Sequence, residues 1–334
     1  MVVKVGINGF GRIGRAFFRI AMKDPGVEIV AINSRTGADA MSFLVKHDSV
    51  YGIYDLSVSH TKDSLIINGK IIPFYTETDP TKIPWKKHNV DVVVESTGVF
   101  RDRKDAAKHL TAGARKVLIS APTANADFDM LKGVNEHKYD PNKHNVISNQ
   151  SCTTNCLAPI VKVLDDNFGV DVGYMITAHA YTSSQSLLDE PNPRDQRRAR
   201  AGALNMIPTS TGATEAVGRV LPHLLGKLHG IAIRVPVADG SLLEFVANIK
   251  KSATVEQINN LFLNVANNEL KGIVEYSTSP LVSSDIIGNP HSAVFDSELT
   301  RVMNGNFIKV LAWYDNEWGY SSRLVDVCKL IGKK

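Results

Sequence analysis

The chain has 334 residues, 43% hydrophobic and 22% charged, with 24 Gly, 14 Pro and 3 Cys. That length predicts about two domains, and the near-average composition excludes collagen-like, low-complexity and wholly disordered chains. A net charge of +4 is too mild to make nucleic acid or an anionic membrane the main partner, and no apolar run of about 18 residues is present to span a bilayer.

Three cysteines, odd in number, fit unpaired thiols in a reducing compartment. Met1-Val2-Val3-Lys4-Val5 enters a strand pattern without a charged leader, so the expected location is cytoplasmic. Residues 2–7 predict an apolar strand, and 9–14 a glycine-rich turn. Ile13, Ala16, Phe17, Ile20 and Ala21 then recur at helical spacing. Pro25-Gly26 ends that helix and 27–32 predict a second strand, completing a βαβ unit. Further strands are expected at 91–96 and 116–120, with a charged helix at 101–113 between them. This alternation predicts a parallel, doubly wound α/β sheet of Rossmann type over about the first 150 residues. Beyond residue 170 the texture changes. Runs at 170–181, 231–237, 241–250 and 307–314 interleave apolar with polar residues, which predicts an antiparallel sheet with one solvated or interfacial face. A closing helix is expected at 321–330.

Gly9-Phe10-Gly11-Arg12-Ile13-Gly14 matches G-x-G-x-x-G after a strand and before a helix, the context in which the pattern points to a dinucleotide. Gly9 permits the tight turn, Gly11 lets backbone approach a pyrophosphate, and Gly14 lets helix and strand pack closely. The plainer reading is a simple strand-to-helix turn. Twenty residues past Gly14, where an acid would bind the ribose hydroxyls of NAD, the chain has Ser34, Arg35 and Thr36. A hydroxyl beside a guanidinium, with no carboxylate at hand to repel a 2′-phosphate, predicts use of NADP alone or alongside NAD. Alternatively, Arg35 points to solvent.

Ser151 is a good N-cap for a helix starting at Cys152, and a thiol in the first helical turn meets the positive end of the dipole, which lowers its pKa. Cys152 is therefore the expected nucleophile, whereas Cys156 and Cys328 read as buried core residues. His179 ends an apolar strand, while His47, His109 and His144 lie in polar stretches and read as surface residues. Spacing alone does not pair His179 with Cys152. No Cys/His cluster has zinc spacing, so no metal is expected. Arg234 interrupts an apolar strand, which calls for either an anion or a structural ion pair. Residues 208–212 offer hydroxyls and a glycine to a phosphate. Arg194, Arg197, Arg198 and Arg200 lack interleaved aromatics and read as a solvated loop or subunit contact rather than a nucleic-acid surface.

These segments, with SNQSCTTNC at 148–156, HAYT at 179–182 and WYDNEWGYS at 313–321, closely resemble phosphorylating glyceraldehyde-3-phosphate dehydrogenases from end to end. The resemblance implies domains at 1–151 (dinucleotide-binding) and 152–316 (catalytic, α+β with a large mixed or antiparallel sheet), and a C-terminal helix at 317–334 packing back on the first. It implies that Cys152 attacks the aldehyde of glyceraldehyde 3-phosphate, that His179 handles the proton, and that inorganic phosphate releases 1,3-bisphosphoglycerate from a thioester. It further implies Thr182, Arg198 and Arg234 at the substrate phosphate, and Ser151, Thr153, Thr211 and Gly212 at the attacking phosphate. Cofactor positions implied are Arg12, Ile13, Thr78, Ser120 and Asn316, the last fixing the nicotinamide carboxamide. A homotetramer is also implied, with 182–206 at a subunit interface. Ser34 stands where NAD-dependent members carry an acid, and Thr78 where many carry Arg. The rival readings are an erythrose-4-phosphate dehydrogenase, an RNA-binding protein on a nucleotide fold, and a Cys/His hydrolase.

Overall fold

The computed structural model describes residues 2–193 and 195–333, so Arg194 of the arginine cluster lies outside the described residues. The chain forms two compact units, one of residues 1–150 and 321–334, the other of residues 151–320.

The first unit is built on a nine-stranded sheet ordered Phe128–Asp129, Val146–Ser148, Lys116–Ile119, Val92–Glu95, Val3–Asn8, Val27–Asn33, Lys70–Tyr75, Ser64–Ile67, Val58–Thr61. The first seven in that order pair parallel and the last two antiparallel. Val3–Asn8 is central, with the next strands in sequence on one side and Val92–Glu95 on the other. Strand order therefore reverses beside the end of Val3–Asn8, where doubly wound sheets bind ligands. The buried strands read as continuous Val and Ile because both faces are covered. The hairpin Ser64–Ile67/Lys70–Tyr75 turns at Asn68-Gly69, both at positive φ (48° and 81°), a turn signal that sequence reading overlooked.

Two expectations fail here. The predicted helix at 101–113 is two single turns, Arg103–Ala106 and Lys108–Thr111. His109 is not a surface residue but fully buried. Its Nδ1 accepts from Trp85 Nε1 at 3.0 Å, so the remaining proton lies on Nε2, which donates to Glu95 Oε2 at 3.0 Å. Glu95 also accepts from Asn8 Nδ2 at 2.6 Å, and from the Thr97 hydroxyl and N–H. Neighbouring Lys108 misled the reading because it alone turns outward, to Asp105 at 2.8 Å. Replacing His109 with leucine orphans the Trp85 N–H and strips Glu95 of a donor, at an expected cost of about 3 kcal/mol. Urea unfolding of that variant measures it; a midpoint equal to wild type would show the network contributes nothing.

The second unit carries a seven-stranded sheet ordered Ile207–Thr209, Leu228–Val235, Val170–Ala180, Ser241–Ile249, Phe307–Tyr314, Ala293–Met303, Val274–Ser277. It is mixed. A mixed sheet is what the resemblance implies, whereas the antiparallel sheet expected from residue texture is corrected by the parallel pairs Val170–Ala180 with Leu228–Val235 and Val274–Ser277 with Ala293–Met303. Ser241–Ile249 alternates buried and half-exposed residues, as period 2 requires of a sheet with one covered face. Helices Cys152–Phe168, Ala213–Val220 and Val255–Asn267 cover it, with Phe262 stacked on Phe295 at 3.9 Å between ring centres. The C-terminal helix, Trp318–Ile331, begins three residues before the start that spacing predicts and one after the start that the resemblance implies, and within the first unit its Lys329 bonds Asp24 at 2.6 Å. Among the described residues no helix is long and apolar enough to cross a membrane.

Candidate active site

In the first unit, the turn after Val3–Asn8 opens onto a cleft of about 490 Å³. Gly9 has φ +93°, and a Cβ on it would lie 2.5 Å from the Thr97 nitrogen. A Cβ on Gly14 would meet the Gly9 carbonyl at 2.2 Å, so close packing of helix and strand requires glycine there. A Cβ on Gly11, by contrast, would meet nothing within 4 Å and would project into open space. Helix Arg12–Ala21 has no side-chain N-cap, so its first N–H groups face whatever approaches Gly11. Open backbone at Gly11 and uncapped helical N–H groups fit the pyrophosphate of a dinucleotide.

Gly9, Gly11, Ser34, Arg35, Thr36 and Thr78 line the cleft. Arg12, Ile13 and Ser120 do not. Arg12 instead pairs with Asp48 at 3.0 Å, and it is Arg15 that borders the cleft, its guanidinium bonded to the Phe10 carbonyl at 3.0 Å. Ser120 continues the strand end through its N–H to the Glu95 carbonyl. Glu77 lines the same cleft as Ser34 and Arg35, a carboxylate-bearing residue that the spacing after Gly14 did not place there. The backbone of Glu77 is tied to the side chain of Asn33, a long-range contact invisible to local motif spacing.

In the second unit, the Ser151 hydroxyl accepts from the Thr154 N–H at 3.1 Å and caps helix Cys152–Phe168. Gly169, at φ +71°, turns the chain into strand Val170–Ala180. The helix runs about 26 Å and the strand returns about 30 Å by residue 179. Matching lengths bring His179 back to the helix start, with Cys152 Sγ 3.4 Å from His179 Nε2. That length match was the overlooked signal for pairing the two residues. On the next strand Arg234 is the register partner of His179. Its NH1 lies 2.8 Å from His179 Nδ1 and 3.2 Å from the Ala180 carbonyl, which is also 2.6 Å from Nδ1.

The expectation of a depressed thiol pKa is overturned. Burial pushes the Cys152 thiol up to about 11, although Arg234 and hydrogen bonds from Thr153 pull it down. A helix dipole contributes about 1 kcal/mol, too little to win. Burial and then Arg234 push His179 down to about 3, with the Ala180 carbonyl opposing. Each group alone is thus neutral at pH 7. Ionised together at 3.4 Å they attract by about 5 kcal/mol at an effective dielectric of about 20. That attraction offsets about half of the roughly 11 kcal/mol that the gap between the two pKa values sets against transfer, so the proton passes to Nε2 as the sulfur attacks and not beforehand. With Nδ1–H donated to Ala180, Nε2 carries the lone pair that receives the thiol proton.

Around this pair, Arg234 Nε is buried and meets no hydrogen-bond partner among the described residues. Arg198 lies close enough to act on both His179 and Arg234, and its Nε bonds Asp195 at 3.1 Å. Arg200 pairs with Asp189 at 2.7 Å, so these arginines are held within their own loop. The Thr182 hydroxyl lies 2.9 Å from Ser184 Oγ. Thr153 is turned to the Tyr314 hydroxyl at 3.0 Å, and the Thr211 hydroxyl accepts from the Ala213 N–H at 3.2 Å. Gly212 begins helix Ala213–Val220 without a side-chain cap. Asn316 is buried, its Oδ1 accepting from Ser241 Oγ at 2.6 Å. Cys156 and Cys328 are fully buried, their thiols pushed up by desolvation.

A nucleotide cleft, a thiol within reach of a neutral imidazole, and an arginine with an unspent donor characterise NAD(P)-dependent enzymes that oxidise aldehydes through a covalent thiol intermediate. Family models for the NAD binding domain and the C-terminal domain of glyceraldehyde 3-phosphate dehydrogenase match residues 3–103 and 151–316. The chain belongs to the glyceraldehyde-3-phosphate dehydrogenase family, as a phosphorylating, NAD(P)-dependent oxidoreductase of glycolysis. It is 54% identical to a glyceraldehyde-3-phosphate dehydrogenase of Priestia megaterium over 100% of this chain and 99% of that protein. To glyceraldehyde-3-phosphate dehydrogenase 1 of Bacillus subtilis it is 53% identical over 100% and 99%. To glyceraldehyde-3-phosphate dehydrogenase 2 of Streptomyces avermitilis it is 50% identical over the full length of both. The family implies glyceraldehyde 3-phosphate and inorganic phosphate as substrates. These matches do not favour the erythrose-4-phosphate or RNA-binding readings.

Proposed function

We propose that the chain converts glyceraldehyde 3-phosphate and phosphate reversibly to 1,3-bisphosphoglycerate, with Cys152 as nucleophile and His179 as acid and base, and that it accepts NADP alongside NAD. The observation that carries the catalytic part is the 3.4 Å approach of Cys152 Sγ to His179 Nε2, with Arg234 in register beside it. His179 takes the thiol proton as sulfur attacks the aldehyde carbon and passes it to the developing alkoxide, giving a thiohemiacetal. It then removes the hydroxyl proton as hydride leaves, which produces a thioester on Cys152. When bound, the dinucleotide supplies the hydride acceptor at its nicotinamide, held by Asn316. Phosphate attacks the thioester and the Cys152 thiolate departs, recovering its proton from His179.

Arg234, whose Nε has no partner among the described residues, and Arg198 offer charge-assisted bonds to the substrate phosphate, and Thr182 is assigned the same role. The attacking phosphate is assigned to Ser151, Thr153, Thr211 and Gly212; the helix start at Gly212 supports this, while the hydroxyls of Ser151, Thr153 and Thr211 already hold contacts within the chain. On the cofactor side we assign Gly9, Gly11, Gly14, Ser34, Arg35 and Thr78, with Arg12, Ile13 and Ser120 contributing backbone rather than side chains. A homotetramer and a cytoplasmic location belong to the same proposal. Exposed Leu187, Leu188, Leu204 and Met206 on the 182–206 segment support the former, and light scattering measures it.

Initial rates with glyceraldehyde 3-phosphate, run with and without inorganic phosphate, test the reaction; phosphate-independent turnover would overturn it. Titrating NAD and NADP separately tests the cofactor reading. Ser34→Asp places a carboxylate next to Arg35 in a cleft that Glu77 also lines, and is expected to raise the NADP KM about tenfold, roughly 1.4 kcal/mol, with little effect on NAD. An unchanged NADP constant would mean that the 2′-phosphate does not sit at Ser34 and Arg35.

A further inference from the structure

Three neighbouring strands of the first unit, Val92–Glu95, Val3–Asn8 and Val27–Asn33, each end on a polar side chain. Asn8 is the register partner of both Asn33 and Glu95, so parallel pairing sets the three side chains in a row across the carboxyl ends. They bond along that row: Asn33 Nδ2 donates to Asn8 Oδ1 at 2.7 Å, and Asn8 Nδ2 donates to Glu95 Oε2 at 2.6 Å. All three are buried. At one end of the row the Asn33 carboxamide grips the backbone of Glu77, accepting from its N–H at 2.9 Å and donating to its carbonyl at 3.0 Å. It stands in for a peptide group and continues, past the ladder pair of Asn33 with Tyr75, the pairing of the two strands. At the other end Glu95 Oε1 accepts from the N–H and the hydroxyl of Thr97. Asn8, Asn33, Glu77 and Thr97 all line the nucleotide cleft.

Glu95 and His109 do not line it. His109 Nε2 donates to Glu95 Oε2 at 3.0 Å, and the Trp85 indole occupies the other ring nitrogen. Four hydrogens therefore point at the two Glu95 oxygens, from His109, from Asn8, and from the N–H and hydroxyl of Thr97. Only a carboxylate accepts at both oxygens, and its presence orders the rest of the row. Asn8 must turn Nδ2 toward Glu95, which leaves Oδ1 for Asn33. Asn33 then meets Glu77 with one donor and one acceptor. We infer that Glu95 and His109 are positioning residues for the dinucleotide: they hold Asn8, Thr97 and, through Asn33, the segment 77–78 in the orientation that the cofactor meets. The inference rests on the assignment of this cleft to the cofactor made above. It gives the two residues a share in cofactor affinity and none in the chemistry at Cys152.

The expected result is a split in the kinetics. In Glu95→Gln an NH2 group replaces one oxygen and faces donors, and in His109→Leu one donor to Glu95 is lost. Each is expected to raise the NAD KM about tenfold, with kcat at saturating NAD and the KM for glyceraldehyde 3-phosphate within about twofold of wild type. His109→Gln offers an oxygen to Trp85 and an N–H to Glu95, so its NAD KM should return to within about threefold of wild type. A wild-type NAD KM in both Glu95→Gln and His109→Leu would overturn the inference, as would a kcat that falls as far as kcat/KM does. Wild type supplies a measure that needs no variant to fold. Coupling is reciprocal, so if the His109 bonds strengthen NAD binding, bound NAD holds those bonds closed. Amide exchange in residues 106–114, none of which lines the cleft, is expected to slow at least about threefold at saturating NAD; an unchanged rate overturns the inference. Gly11→Val tests the foundation, since a side chain there projects into open space at the cleft. An unchanged NAD KM in that variant removes the cleft assignment and the inference with it. A raised one, beside wild-type values in Glu95→Gln and His109→Leu, removes the inference alone.

Discussion

Replacing His179 with asparagine is expected to lower kcat by about a thousandfold while leaving the fold intact, because a positioned base is worth about 10²–10⁴ in rate. The effect should be visible before any turnover. Alone, the Cys152 thiol is held up to about 11 by burial, so without a nearby acceptor its thiolate fraction at pH 7 is very small. Alkylation by iodoacetamide, which reads the thiolate, should in His179→Asn rise steadily with pH through the alkaline range. Wild type should react faster at neutral pH, because the imidazole 3.4 Å away can take the proton as the sulfur attacks. Superimposable alkylation profiles would show that His179 does not share the thiol proton.

The second large effect is expected at Arg234. Its leucine variant should raise the KM for glyceraldehyde 3-phosphate about a hundredfold, the worth of roughly 2–3 kcal/mol in charge-assisted bonds to a phosphate. Glyceraldehyde without the phosphate should lose far less. The same change removes the cation that depresses His179 and lowers the Cys152 pKa, so the histidine pKa should climb and the thiol pKa with it. An equal loss with both aldehydes would mean that Arg234 serves the catalytic pair and not the phosphate.

Parts of this site were legible because their chemistry is local. A turn needing positive φ selects Gly9, a helix start selects Ser151 as its cap, and a thiol one residue on marks Cys152. Each rule acts within a few residues, so it can be read off the chain. Periodicity likewise revealed the parallel sheet of the first unit, since strands buried on both faces must be apolar throughout. His109 shows the limit. Its sequence neighbours are polar, yet one helical turn places it inward against Trp85 and Glu95, partners 24 and 14 residues away.

The sequence by itself therefore pointed to two domains, the dinucleotide turn, Cys152 as the candidate nucleophile and, through resemblance, the family. Tertiary structure decided the rest. Register between Val170–Ala180 and Leu228–Val235 sets Arg234 against His179, and no local preference specifies register. The balance of burial against charge reversed the expected direction of the Cys152 pKa, because desolvation depends on everything packed around a group and not on its place in a helix. Glu77 and Arg35, from separate segments, are likewise brought to one cleft only by the fold. Short-range sterics and capping are written residue by residue, whereas electrostatics in a low-dielectric interior exists only once the chain has folded around it.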